Sequence, residues 1–175
     1  SVLGKDRSYL FLYPKEKIEK IKCELFSNYI LRRVKREPVA YITGEKEFWS
    51  IPFMVTKDTL IPRPDTEILV QSVLTHIRDK NFQVNEIIKI LDVGTGSGNL
   101  SVSLASETDN RVQIFSIDIS CKALEVAKKN IISSGYRASC KCILKFQITF
   151  PLHIFRGFFK KLKAKFPHIH LFLWF

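Results

Sequence analysis

Apolar residues recur at helical spacing early in the chain. Ile18, Ile21, Leu25 and Phe26 alternate with Lys and Glu, and Tyr29, Ile30 and Val34 continue the stripe. That period predicts helix over residues 8–36. Pro38 stops it, because the residue before a proline avoids helical geometry. Val39-Ala40-Tyr41-Ile42-Thr43-Gly44 reads as a turn. Glu47 to Ser50 and Ile51 to Val55 then carry aromatic and β-branched residues between Gly and Pro punctuation, the mark of a short hairpin or linker strands. Ile61-Pro62-Arg63-Pro64-Asp65-Thr66-Glu67 extends the chain and puts acidic groups where a helix N-terminus favours negative charge. In the helix that follows, Ile68, Leu69, Val73, Leu74 and Ile77 form one stripe.

The pattern changes at Ile87. Ile87 to Val93 is an apolar run interrupted by Lys89, as in a buried parallel strand. It runs into Gly94-Thr95-Gly96-Ser97-Gly98, and Asn99 to Glu107 reads as a helix. Thr108-Asp109-Asn110 is a turn, and Val112 to Ile117 is a second strand ending at Asp118. Ser120 can cap a helix whose inner face is Ala123, Leu124, Ala127 and Ile131, and Gly135 suits its C-terminal end. Strand, helix, strand, helix begins a doubly wound parallel sheet. Only these two strands are readable, and an incomplete sheet leaves unpaired edges.

A strand that turns into a helix through Gly-x-Gly-x-Gly lets backbone approach a ligand, because glycine leaves no Cβ in the way. Asp118 lies 20 residues beyond Gly98, the spacing of an acid that takes both hydroxyls of a ribose. Dinucleotide enzymes favour Gly-x-Gly-x-x-Gly. Here the third glycine comes one residue early, and Asp92 stands ahead of the loop, which disfavours a dehydrogenase and resembles the S-adenosylmethionine motif.

Composition narrows the class. With 175 residues, one domain plus a small appendage is expected, and a hydrophobic share of 46% supports a core. Phe146 to Phe155 is too short a run to span a membrane. No basic-then-apolar leader follows Ser1, and the missing initiator Met suggests a processed or incomplete N-terminus. Cys23, Cys121, Cys140 and Cys142 read as reduced thiols, so a cytoplasmic location is expected. The net charge is +11, yet residues after Gly135 carry eight basic groups and no acid, leaving +3 for the rest. The basic cluster Arg32, Arg33, Lys35 and Arg36 reads as a solvated helix end rather than an RNA or partner patch. Cys140-Lys141-Cys142 and His168-Ile169-His170 do not match common zinc spacings, so no metal is expected. His76 reads as a surface or boundary residue.

Four stretches together resemble the release-factor glutamine N5-methyltransferases. They are Arg36 to Gly44; Glu47-Phe48-Trp49-Ser50 with Phe53-Met54-Val55; Leu60-Ile61-Pro62-Arg63-Pro64-Asp65-Thr66-Glu67; and Ile90 to Gly98, followed by Asp118-Ile119-Ser120 and Ala123-Leu124. The glycine loop is common to many methyltransferases, and its pairing with the Pro-Arg-Pro segment is more specific. The likeness runs over roughly residues 1–132. It implies an α/β, Rossmann-like class I methyltransferase with a doubly wound, mostly parallel sheet, incomplete here and preceded by a partial N-terminal helical domain. The implied division is 1–36 for the helical domain, 37–62 for linker and hairpin, 63–135 for the S-adenosylmethionine-binding half, and 136–175 for a divergent basic, aromatic tail.

The resemblance further implies S-adenosyl-L-methionine as cofactor and a peptide-chain release factor as substrate. Gly94, Thr95, Gly96, Ser97 and Gly98 would line the cofactor's amino-acid and sulfonium side, and Asp118 would hold the ribose. Asp92 would support either the loop or the cofactor's ammonium group. The family's catalytic Asn-Pro-Pro-Tyr follows its fourth strand. This sequence has no Asn after Asn130 and no Pro-Pro, so no catalytic residue is assigned. The ten aromatics after Gly135 make the tail look foreign, as a frameshift or early stop would; an intact, active relative with the same tail would refute that. Two alternatives stay open: a nucleic-acid adenine N6-methyltransferase, which the basic charge would suit although a nucleic-acid partner is not the expectation, and an inactive remnant. No membrane partner is expected.

Overall fold

The computed structural model describes residues 2–79, 87–108, 111–143 and 169–173. It divides into two compact units, Ser1–Glu45 and Lys46–Phe175.

The first unit is helical. α1 (Arg7–Leu12) starts at Asp6, whose carboxylate accepts the Tyr9 N–H at 2.9 Å. α2 (Lys20–Val34) follows after a break, so the single helix expected over 8–36 is two. Pro14 explains the break: it lacks the N–H a helix interior needs, and it drives Tyr13 out of helical geometry, to φ −125° and ψ 54°. Residues 39–44, expected as a turn, instead form α3 (Val39–Thr43), closed by Gly44 at φ 78°. Glycine pays no Cβ penalty there, and its N–H satisfies the Ala40 carbonyl at 2.8 Å. Arg32 ties this turn of helix to α2. Its guanidinium forks onto Glu37 at 2.7 and 2.8 Å and also reaches the carbonyls of Tyr41 and Ile42. One member of the basic cluster is therefore structural. Residues 37–44 lie in the first compact unit together with the helices.

The second unit opens with a hairpin, β1 (Glu45–Phe48) and β2 (Ile51–Met54). Trp49 and Ser50 both take positive φ, 53° and 57°, the mirror-image turn that matches strand twist. Phe48 and Phe53 are buried and meet edge-on, 6.2 Å between centroids. A 3-10 turn at Pro64–Thr66 leads into α4 (Glu67–Asp79). Val70, Val73 and Leu74 are its buried side, whereas Ile68, expected on the inner stripe, is 65% exposed.

Four strands form a parallel sheet: β3 (Ile88–Val93), β4 (Val112–Ile117), β5 (Cys140–Ile143) and β6 (Ile169–Leu173), in the order β5-β4-β3-β6. α5 (Asn99–Ser106) and α6 (Cys121–Ser133) connect the first three. The α/β, doubly wound architecture stands as expected. The tail is not wholly foreign to it, because β5 and β6 come from residues 136–175 and flank the readable pair. Ile90, Ile114, Val102 and Val70 are fully buried at the centre of the core. Each such side chain contributes about 1.5–3 kcal/mol relative to exposure.

Asp109 and Asn110, Phe146 to Phe155 and His168 lie outside the described residues. All four cysteines are free. Among the described residues no cluster of metal-ligating side chains occurs, and no helix is long and apolar enough to cross a membrane.

Candidate cofactor site

β3 is where the strand order reverses, with β4 on one side and β6 on the other. In open parallel sheets ligands bind beyond the carboxyl ends of strands at such a point. The glycine loop stands there. Gly94, Gly96 and Gly98 have φ of 79°, 54° and 78°, a region that side chains disfavour. The loop hangs from the end of β4, because the N–H groups of Gly94 and Thr95 both donate to the Ile117 carbonyl, at 2.9 and 3.1 Å.

Asp118 hydrogen-bonds to the loop. One carboxylate oxygen accepts the Gly96 N–H and the other the Ser120 N–H, each at 2.9 Å. Ser120 in turn caps α6 through Ala123. Each Asp118 oxygen retains a second acceptor site. Two such sites suit a vicinal pair of hydroxyls.

Asp92 is 3% exposed and faces inward. It accepts hydrogen bonds from Thr95 Oγ1 at 2.7 Å and Ser101 Oγ at 2.6 Å, and Ser101 meets Ser116 at 2.7 Å. Burial raises its pKa above the ordinary 3.8; the two hydroxyl bonds oppose that rise, and the Asp118 charge adds to it. Of the two roles left open for Asp92, its contacts serve the loop. Nearby, burial pushes the Cys140 thiol up to about 12. It stays protonated at neutral pH.

The loop forms one wall of a pocket, through residues 94–97 with Asn99 and Leu100. The other wall is 60–63 with Thr66, the Pro-Arg-Pro segment. A Cβ built on Gly96 would find only the Gly94 carbonyl, 3.9 Å away, so the loop's outer side is open to a ligand. A Cβ on Gly98 would instead meet Ala127 Cβ at 3.2 Å. The five loop residues thus divide: Gly94, Thr95, Gly96 and Ser97 line the pocket, and Gly98 lets the loop approach α6.

Sequence reasoning missed Asn130. It sits on the buried side of α6, 2% exposed, and bonds to both Met54 and Ser97. A polar residue beside Ile131 on an apolar face was the available signal.

Two family descriptions match the chain, PrmC N-terminal domain over residues 1–44 and Methyltransferase domain over residues 84–151. The release factor glutamine methyltransferase of Coxiella burnetii is 43% identical over 129 residues, covering 74% of this chain and 44% of that protein. Over that span the chain is similar to the release factor glutamine methyltransferases. The Francisella tularensis member is 44% identical over 129 residues, again with 74% and 44% covered. The chain therefore spans less than half the length of these family members. The first family match ends at residue 44, beside the boundary between the two compact units. Among solved structures, an SAM-dependent methyltransferase from Agrobacterium tumefaciens overlays with TM-score 0.49 and 14% identity, over 69% of this chain and 35% of that one.

Proposed function

We propose that the chain carries the S-adenosylmethionine-binding part of an enzyme that methylates the side-chain amide of a glutamine in peptide-chain release factors. The observation that carries this reading is the single pocket walled by the Pro-Arg-Pro segment and the glycine loop. Gly94 to Ser97 take the cofactor's amino-acid and sulfonium side, and Asp118, hydrogen-bonded to Gly96, takes the ribose hydroxyls. Gly98 serves the same site from behind, through its contact with α6. The cofactor supplies an activated methyl group.

The acceptor is the harder half of the chemistry. An amide nitrogen is a poor nucleophile, because its lone pair is delocalised into the carbonyl. It must be oriented and its hydrogens accepted, which is preorganisation rather than covalent catalysis. The family's Asn-Pro-Pro-Tyr does that work, and these 175 residues do not contain it. The chain by itself is therefore expected to bind cofactor without methylating release factor. A release-factor substrate places the reaction in the cytoplasm, where translation terminates.

Titration calorimetry with S-adenosylmethionine tests the reading. Saturable binding that Asp118→Ala abolishes supports it, and no binding by a folded chain overturns it. Methyl transfer to release factor by this chain would show that the amide can be oriented by other groups.

A further inference from the structure

The Asn130 carboxamide joins two segments far apart in sequence. Its Nδ2 donates to the Met54 carbonyl at 2.9 Å and to the Ser97 carbonyl at 2.8 Å, and its Oδ1 accepts the Met54 N–H at 2.8 Å. Ser97 belongs to the glycine loop, one wall of the pocket. Met54 ends β2, six residues before the other wall begins at Leu60. The intervening chain is short and held. Val55 and Thr59 are buried, and Thr59 closes a turn onto both the N–H and the carbonyl of Thr56. The position of Met54 is thereby passed on to Leu60. One helical turn earlier, Ala127 meets Gly98, so α6 touches the loop at two points.

We infer that Asn130 is a positioning residue that sets the separation of the two pocket walls and hence the pocket's fit to cofactor; its cofactor arm rests on the function proposed above. The side-chain chemistry is specific. Two donors and an acceptor in one uncharged plane are found only in Asn and Gln, and Gln is a methylene longer. Leu in this place fills the volume and leaves the Ser97 carbonyl and both Met54 groups without their partner.

Two measurements on the 175-residue chain test this. The first needs no ligand: amide exchange in wild type, Asn130→Leu and Ile131→Ala. Ile131 is the next residue, buried in the core and without a bond to either wall, so its truncation controls for lost stability. Faster exchange at Gly96, Gly98 and Thr59 in Asn130→Leu, with β4 amides unchanged and no such change in Ile131→Ala, is expected. Unaltered loop exchange, or the same change in both variants, overturns the inference. The second is S-adenosylmethionine affinity below the unfolding range of all three proteins. Asn130→Leu is expected to weaken binding about tenfold, the size of one lost buried hydrogen bond, with Ile131→Ala close to wild type. Equal weakening in both reduces Asn130 to a stability role. A folded wild type that does not bind defeats the proposed function, while the exchange arm still decides whether Asn130 couples the walls. Should Asn130→Leu not fold, Asn130→Ser leaves room for water and is read by the same two criteria.

Discussion

α2 and α6 make an instructive pair. Both carry apolar residues at helical spacing, and both are helices of similar length. None of the 15 residues of α2 is buried, whereas six of the 13 in α6 are. Ile21 and Val34, on the expected inner stripe of α2, are 72% and 75% exposed. α6 belongs to a unit that contains a parallel sheet, whose broad apolar face accepts a whole helix side. The unit containing α2 has 45 residues, all helix and connection, and chains of that size bury little surface. Periodicity thus reports which side of a helix is apolar, and a second layer decides whether that side leaves water.

The contrast is most exposed to test by truncation. Ile114→Ala, at the centre of the sheet, is expected to cost about 2–5 kcal/mol in urea unfolding. Ile21→Ala in α2 should stay within about 0.5 kcal/mol. Comparable losses would mean that the α2 stripe is packed in solution, and the contrast would fail.

A pair of glycines sharpens the same point with backbone geometry held equal. Gly44 closes α3 and Gly98 opens α5, both at φ 78°. Each pays about 1–2 kcal/mol when replaced by Ala in that left-handed conformation. A Cβ at Gly44 meets nothing within 4 Å, and one at Gly98 meets Ala127. Gly98→Ala should therefore cost about 1 kcal/mol more than Gly44→Ala, the overpacking term. Equal costs would show that α6 yields freely to the loop.

Buried charge gives the sheet unit a pH dependence. Asp92 is raised in the folded chain, chiefly by burial, so the native state holds its proton more tightly than the unfolded state. Its contribution is complete below the unfolded value and is lost as pH rises through the folded one. Unfolding midpoints of the wild type should fall across that window, and Asp92→Asn should flatten the fall. An unchanged profile would assign the dependence to other groups. The smallest effect concerns Ser103, whose buried hydroxyl has no partner among the described residues. Ser103→Ala should be neutral or stabilising within about 1 kcal/mol, because no hydrogen bond is lost. A clear destabilisation would reveal a partner.

The sheet unit's early half was legible because its signals are local. The strand at Ile88–Val93, the loop, α5, β4 and the Ser120 cap each follow from period, glycine placement or capping chemistry within a few residues. The pairing of loop and Pro-Arg-Pro segment was legible only through family resemblance. The break at Pro14 had a local signal in the proline itself, ahead of the apolar stripe that begins at Ile18. The rotation of α4 toward Val70 had none, since Ile68 is just as apolar.

What the residues determined by themselves is the order of elements from β3 to α6, the backbone freedom at Gly94, Gly96 and Gly98, and an acid 20 positions beyond the loop. These depend on sterics and hydrogen bonding between near neighbours. Tertiary structure alone decided that Asp92 faces inward, that tail segments join the sheet as β5 and β6, and that Asn130 reaches across 76 positions to Met54. Such contacts are set by how layers stack, and no spacing along the chain encodes them. Burial and partner choice therefore emerge only when the sheet brings distant segments within hydrogen-bonding reach.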